Sequence, residues 1–262
     1  MDKNWVGKGI ENWGRLVVRF FQFLGDFFQF AWDFCRWTAT PPFRFGLFVR
    51  QLEFVGNKSS LIIFIAALFV GAVLGLQLGV IFKLFSAEGL MGAATGKALA
   101  IELAPVMCGF IVTGRAGAAM AAEIATMRVN EQIDAMEAMG VNPMSYLVVP
   151  RVLASLVMMP ILSCIFLFVG VIGCYFVAIT MYQVDSRTFM DQLRSILWWE
   201  DVVKGLVKAT FFGFIFALIA CHRGFHARGG AKGVGEATTN AVVIGLLAIL
   251  MVDFIITIFQ VR

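Results

Sequence analysis

Five stretches of this sequence are long and apolar enough to cross a lipid bilayer as helices. They lie at about residues 61–82, 97–118, 148–181, 202–221 and 239–260. A hydrocarbon core of ~30 Å needs about 20 helical residues, because each residue adds roughly 1.5 Å. Hydrophobic residues make up 60% of the chain and charged residues only 15%, which excludes an ordinary soluble domain. The sequence therefore predicts an all-α integral membrane protein with five transmembrane helices.

The segment 15–37 is rich in aromatic residues but also carries a regular polar stripe. Its polar residues recur every three or four positions, at Arg15, Arg19, Gln22, Asp26, Gln29, Asp33 and Arg36. On a helix this spacing separates a polar face from an aromatic face. We therefore favour an interfacial amphipathic helix over a sixth span whose stripe faces a bundle interior. The expected division is an N-terminal region, residues 1–44, and a five-span membrane region, residues 45–262.

The distribution of basic residues predicts the orientation of the spans. With the N-terminus in the cytoplasm, two-thirds of the 21 Lys and Arg residues fall on the inner side, and Lys204 and Lys208 are counted on the outer side. Positive charge favours the cytoplasmic side, so the C-terminus is expected outside. We expect no secretory signal peptide. The five cysteines lack metal or redox spacing, which indicates small buried side chains.

The segment 183–201, between the third and fourth spans, is predicted to form a short helix on the outer leaflet. Ser186 is the expected N-cap. Apolar residues such as Phe189 and the pair Trp198-Trp199 favour contact with the membrane interface. The next loop contains His222 and His226 at helical spacing. Without a third suitable ligand nearby, we interpret them as solvated basic residues and predict no metal site.

The stretch TGRAGAAMAAEIATMRVNEQIDAMEAMG, residues 113–140, follows the second span on the predicted cytoplasmic side. Small residues recur every four positions in two rows that include Gly114 and Gly117, and such rows allow close helix packing. The remainder predicts one amphipathic helix over 123–140, ended by Gly140. Its acidic, basic and methionine residues are Glu123, Met127, Arg128, Glu131, Asp134, Met136, Glu137 and Met139. Such a helix suits a groove on another protein, but a solvated loop helix fits the pattern equally well.

Two further features of the spans need an explanation. Gly71, Gly75 and Gly79 form a glycine ridge in the first span, which is typical of close helix packing. Glu102 and Asp253 are carboxylates at or within spans, where a charge is expensive unless it faces water or a partner. Lys97 lies five positions before Glu102, so a direct pair on one helix face is not expected. The chain has no Gly-rich phosphate loop and hence no nucleotide-hydrolysing site of its own.

Several motifs together resemble one known family. They are GRAGAAMAAEIATMRVNEQIDAMEAMGVNP followed by Pro150-Arg151, VLGLQ at 73–77, ELAPV at 102–106, GAKGVGEATTNAVV at 230–243 and the pair Asp253-Phe254. From about residue 45 to the end, the chain resembles the MlaE-type permeases, the membrane subunits of ABC transporters that move phospholipids with an MCE-domain partner. The resemblance implies an inner-membrane location in a Gram-negative-type bacterium.

The resemblance also implies partners. Two copies would pair as a homodimer above two cytoplasmic ATPase subunits, which would hold ATP and Mg²⁺, since no cofactor is expected in this chain. A hexamer of MCE-domain subunits would sit on the periplasmic face. A small accessory cytoplasmic subunit is compatible with this arrangement, whereas nucleic acid is not an expected partner. The helix at 123–140 would be the coupling helix.

A lipid cavity between the two copies is the remaining implication. By resemblance, its lining includes Leu74, Leu76, Gln77, Leu78, Glu102 and Asp253. Gln77 would offer hydrogen bonds to a phosphate or glycerol group, and the leucines would meet acyl chains. The family often has Arg where this chain has Ile101, which leaves the charge of the cavity open, with Lys204 or Lys208 as the alternative cation.

Two other functions fit parts of the sequence. An ion-coupled secondary carrier of a lipid-like substrate would use Glu102 and Asp253 as proton or cation sites. Such carriers commonly contain internal repeats, and this chain has none that we detect. A passive scaffold for an outer-face protein would need no polar groups in its spans.

Overall fold

The computed structural model describes residues 25–40 and 44–261, and these residues form helices joined by short turns. Residues 25–38 are helical and are called α1. The helices that follow are α2 (Phe45–Leu84), α3 (Glu88–Val129), α4 (Gln132–Ala138), α5 (Met144–Tyr182), α6 (Ser186–Ile196), α7 (Trp199–Phe225) and α8 (Gly230–Val261). Of these, α2, α3, α5, α7 and α8 are long and apolar enough to cross a membrane. The predicted all-α membrane protein with five spans is confirmed.

The long helices are interrupted by π-helical turns. They lie at Glu53–Asn57 in α2, at Leu99–Leu103 and Thr113–Gly117 in α3, and at Met144–Val148 in α5. A π turn inserts one extra residue into an α-helix, and such turns are frequent at functional sites. The Leu99–Leu103 turn contains Glu102, one of the two carboxylates that the sequence singles out.

The helices α2 and α5 pack closely against each other. Gly71, Gly75 and Gly79 are buried on one face of α2. A methyl group added to Gly71 would overlap the backbone of Gly170, and one added to Gly75 would lie 3.1 Å from the Cys174 sulfur. Since no side chain fits between the two backbones, the glycine ridge sets the distance between these helices.

The two small-residue rows of α3 have different surroundings. A methyl group on Gly117 would lie 3.3 Å from the Phe216 ring of α7, so this row faces the bundle. Gly114 is exposed, and nothing in the described chain lies within 4 Å of an added methyl group there. The predicted packing role of Gly114 is therefore wrong within one copy of the chain. The two rows lie on different faces of α3, and only one face can meet α7.

The N-terminal helix packs its aromatic face on the bundle. Residues 15–24 of the predicted amphipathic helix lie outside the described residues. In α1, Phe30 and Phe34 are buried, and the Phe30 ring centroid lies 5.3 Å from that of His222. Trp32 points away from the bundle and is exposed. The prediction that His222 is solvated was wrong, because the aromatic residues of α1 cover it.

The helix α6 packs against the rest of the helix bundle. Phe189 is fully buried, beside Met91 and Cys174. The N-cap is Asp185 rather than the predicted Ser186, because the Asp185 carboxylate accepts hydrogen bonds from the backbone N–H groups of Arg187 and Thr188 at 3.0 and 3.1 Å. Both bonds lower the pKa of the Asp185 carboxyl, and the bond from the Thr188 backbone has the larger effect.

The predicted single helix over 123–140 is two helices in the structure. The helix α3 continues to Val129, and Glu131 then adopts a left-handed conformation with φ 57°. That conformation interrupts the helix, so α4 begins as a separate helix at Gln132. Gly140, with φ 74°, ends this segment as the sequence indicates. A helical periodicity can persist across such a break, which is why the pattern alone suggested one helix.

Candidate functional site: a charged cluster beside an apolar groove

A buried lysine joins three of the spanning helices. The side chain of Lys208 in α7 has no exposed surface. Its ammonium nitrogen lies 2.6 Å from Glu102 Oε2 in α3 and 3.1 Å from Asp253 Oδ1 in α8. The same nitrogen donates a hydrogen bond to the Thr257 hydroxyl at 2.8 Å. The two carboxylates that the sequence placed in separate spans therefore meet at one cation, and Lys208 rather than Lys204 supplies it.

The local sequence explains how Lys208 reaches Glu102. Gly205, one turn earlier in α7, lies so close to α3 that an added methyl group would overlap the carbonyl oxygen of Ala100. This absence of a side chain allows the two backbones to approach. In α8, Thr257 lies one turn after Asp253, so both side chains point to the same face. The Thr257 hydroxyl also donates a hydrogen bond to the Asp253 carbonyl at 2.8 Å.

The electrostatics of this cluster, Glu102, Lys208, Asp253 and Thr257, are unusual for a membrane interior. A fully buried ammonium is expensive unless opposite charges and hydrogen bonds surround it. Here both are present. The side chain of Glu102 nevertheless keeps 38% of its surface exposed, so one carboxylate of the cluster is open to a ligand or to solvent.

An apolar groove lies beside the cluster, between α2 and α3. Its volume is about 340 Å³, and Phe69, Val70, Val73, Leu74, Gln77 and Leu103 line it. Gln77 is the polar residue of this lining. Leu103 follows Glu102 directly, so the groove and the charged cluster share the same π turn of α3. A ligand in the groove therefore lies next to the helical turn that carries Glu102.

The residues predicted for a lipid cavity divide into three groups. Leu74 and Gln77 line the groove, and Glu102 and Asp253 belong to the charged cluster. Leu76 and Leu78 are not among the lining residues. Lys208 was one of the two cations that the sequence left open, and the structure selects it. Thr257 was not predicted, although its position four residues after Asp253 places both on one helix face.

Several of the residues predicted for coupling have partners inside the chain. Arg128 Nη1 lies 2.5 Å from Asp134 Oδ1, which ties the end of α3 to α4. Glu123 Oε2 lies 2.8 Å from Nη2 of the buried Arg151 in α5. These two ion pairs tie the segment to the bundle, while the Asp134 and Glu123 side chains keep 53% and 55% of their surface exposed.

The rest of the coupling set differs in exposure. Met127 and Met136 are half-buried and pack against the core of the bundle. Glu131, Glu137 and Met139 are exposed, and Met139 shows 71% of its surface. The segment 131–140 thus has an inner side held by the bundle and an outer side with one methionine and three carboxylates, of which Asp134 is paired with Arg128.

Comparison with known proteins shows the family of this chain. The family model described as Permease MlaE matches residues 48–259. The chain belongs to the MlaE permease family. It is 42% identical to a probable ABC transporter permease protein of Rickettsia prowazekii over 244 residues, which are 93% of this chain and 94% of that protein. The resemblance stated from the motifs is confirmed.

Two further relatives of this MlaE-family permease come from a bacterium and a plant. The intermembrane phospholipid transport system permease protein MlaE of Haemophilus influenzae is 36% identical over 249 residues, which cover 93% of this chain and 94% of that protein. Protein TRIGALACTOSYLDIACYLGLYCEROL 1, chloroplastic, of Arabidopsis thaliana is 36% identical over 211 residues, 80% of this chain and 60% of that protein. The chain is therefore a multi-pass ABC transporter permease.

Proposed function

We propose that this chain is the permease subunit that moves phospholipid between the bacterial inner membrane and an MCE-domain partner on the periplasmic face. Two copies form a homodimer, and two ATPase subunits on the cytoplasmic side supply the energy by hydrolysing Mg²⁺-ATP. The N-terminus lies in the cytoplasm and the C-terminus in the periplasm. A hexamer of MCE-domain subunits receives or delivers the lipid, and a small cytoplasmic subunit is compatible with the assembly.

The observation that carries this proposal is the apolar groove with a charged cluster on the same π turn. A phospholipid has apolar chains and a charged headgroup, and the groove and Glu102 offer one surface for each. Ligand sites of this kind are mostly apolar with a few placed polar groups. The name of the Haemophilus influenzae relative includes phospholipid transport, which supports the same substrate class.

The arrangement of α4 supports the coupling part of the proposal. Ile133 is fully buried against the bundle, and the Arg128–Asp134 ion pair ties α4 to the end of α3. A force applied to the exposed Glu131, Glu137 and Met139 would therefore reach α3, which also carries Glu102. This connection gives a partner ATPase a route to change the width of the groove.

The proposed orientation and pairing rest on two features. Five spans put the two ends of a chain on opposite membrane sides, and the basic residues favour a cytoplasmic N-terminus. The outward face of α8 exposes large apolar side chains, Leu247, Leu250 and Phe254 among them. These suit either lipid or a second copy, and the homodimer is expected to cover part of this face.

Charge reversal tests the coupling role. The double variant Glu131→Lys and Glu137→Lys leaves both internal ion pairs intact but inverts the exposed charge of α4. We expect the ATPase to co-purify in reduced amounts and ATP-driven lipid transfer to fall about tenfold or more, because interface charges that face like charges are repelled. The matched control is Asp191→Lys with Glu200→Lys, two exposed carboxylates in α6 and α7.

The outcome separates the competing functions. Unchanged ATPase binding and unchanged lipid transfer in the α4 variant would reject the coupling role. Lipid transfer that persists without ATP or any ATPase would instead favour an ion-coupled carrier, for which the buried charges of the cluster supply titratable groups.

A further inference from the structure

The charges of the cluster do not cancel. Glu102 and Asp253 contribute two negative charges, and Lys208 contributes one positive charge within 2.6 to 3.1 Å of both. The Thr257 hydroxyl is neutral. One negative charge is therefore left over in the cluster, and the exposed part of Glu102 is where a ligand can reach it.

Two other lysines lie on helices that carry the cluster, Lys97 in α3 and Lys204 in α7. Lys97 lies 3.7 Å from Asp201, so this pair is neutral. Lys204 lies one turn before Lys208 in α7 and is half-buried. Among the residues that the structure describes, no ion pair involves Lys204. The site thus combines a surplus carboxylate with a cation one helical turn away.

We propose that this permease selects phospholipids whose headgroup carries an ammonium group, such as ethanolamine or choline lipids. In this arrangement the ammonium pairs with Glu102, the phosphate pairs with Lys204, and an acyl chain occupies the groove. The inference rests on the proposed function, because it requires that the groove holds phospholipid. It adds the class of headgroup, which follows from the charges.

The alternative headgroup class fits the charges less well. A glycerol headgroup carries the phosphate charge alone, so it can pair with Lys204 but adds no positive charge to balance the surplus negative charge of the cluster. A charged group in a partly dry site is costly when it is unpaired. An anionic lipid would also bring a second negative charge close to Glu102. Zwitterionic lipid is therefore the better electrostatic complement.

Competition between two lipids tests the inference. The permease, purified with its ATPase, is equilibrated in mixed micelles with equal amounts of phosphatidylethanolamine and phosphatidylglycerol that have identical acyl chains. The lipid that remains bound after gel filtration is quantified by mass spectrometry. We expect ethanolamine lipid to be enriched about fivefold, the ratio given by one partly exposed charge pair of about 1 kcal/mol.

Two variants change the charge count without a large change in shape. Glu102→Gln removes the surplus negative charge and leaves Lys208 paired with Asp253, so the enrichment should fall to about one. Ile101→Arg adds a positive charge next to Glu102 and should shift the preference toward phosphatidylglycerol. Ile101→Gln is the matched control, because it adds a polar side chain but no charge, and it should keep the wild-type ratio.

The outcomes separate this inference from the proposed function. Bound phospholipid in equal amounts of both classes, with no response to Glu102→Gln or Ile101→Arg, would overturn the headgroup selection alone. A wild-type protein that retains no phospholipid of either class would overturn the proposed lipid site itself. A Glu102→Gln protein that fails to fold leaves Ile101→Arg as the deciding variant, because that substitution keeps the cluster intact.

Discussion

The glycine contact between α2 and α5, called the seam below, and the charged cluster hold helices together by opposite means. In the seam, Gly71 and Gly75 bring two backbones into contact, and no charged group takes part. In the cluster, Lys208 joins α3, α7 and α8 through charges that must be taken out of water or lipid headgroups. The seam depends on shape, whereas the cluster depends on electrostatics.

This difference indicates that the seam is needed for stability alone, whereas the cluster has a further role. Close packing of small residues is a common way to join helices in lipid, and it carries no desolvation cost. Buried ion pairs often stabilise a protein no better than apolar side chains of the same volume would. A cluster that is neutral at best for stability, and sits beside a groove, is therefore better explained by a role in binding.

Removal of the shared cation should have the largest effect. Lys208→Met leaves Glu102 and Asp253 near each other without a positive charge between them. We expect a loss of about 3–5 kcal/mol in the stability of the folded state, as is usual when one member of a buried ion pair is removed. Thermal unfolding in detergent measures this loss. A variant as stable as the wild type would show that the cluster is hydrated and does not join the three helices.

Filling the seam should have the next largest effect. Gly71→Leu forces a side chain into the backbone of Gly170, and we expect a loss of about 1–3 kcal/mol from overpacking. The matched control is Gly114→Ala in α3, where the added methyl group meets nothing within 4 Å in the described chain. Thermal unfolding should separate the two. Equal unfolding temperatures would contradict the claim that the glycine ridge sets the helix distance.

Neutralising the whole cluster should have the smallest effect on stability. The triple variant Glu102→Gln, Lys208→Met and Asp253→Asn removes all three charges together and leaves none unpaired. We expect stability within about 1 kcal/mol of the wild type, but a large loss of lipid transfer. The comparison of this variant with Lys208→Met sharpens the distinction between a structural and a functional cluster. Normal transfer by the triple variant would show that the charges have no role in binding.

The sequence was sufficient to predict the elements that hydropathy determines. Five apolar windows gave five spans, and the spacing of Gly71, Gly75 and Gly79 marked a ridge that the structure places against α5. Helical periodicity records only which residues share a face, so it could not reveal the helix break at Glu131. It also could not tell that Gly114 and Gly117, three positions apart, face different surroundings.

The candidate site could be predicted only in part for a related reason. Each carboxylate was recognisable because a charge inside an apolar window is rare. Their meeting at Lys208 depends on how α3, α7 and α8 are arranged, and that arrangement follows from contacts between residues far apart in the chain. Likewise, His222 looked solvated because the aromatic residues of α1 that cover it lie about 190 positions earlier.

The most direct test of the central claim is photocrosslinking from the groove after purification. A photoreactive amino acid is placed at Gln77, or at Val80, which lies on the same helix and is exposed but is not among the residues lining the groove. After detergent has removed the bulk lipid, the protein is irradiated and its lipid adducts are identified by mass spectrometry. We predict phospholipid adducts at position 77 and few at position 80. Equal labelling of both positions, or no adduct at position 77, would contradict a lipid site in this groove.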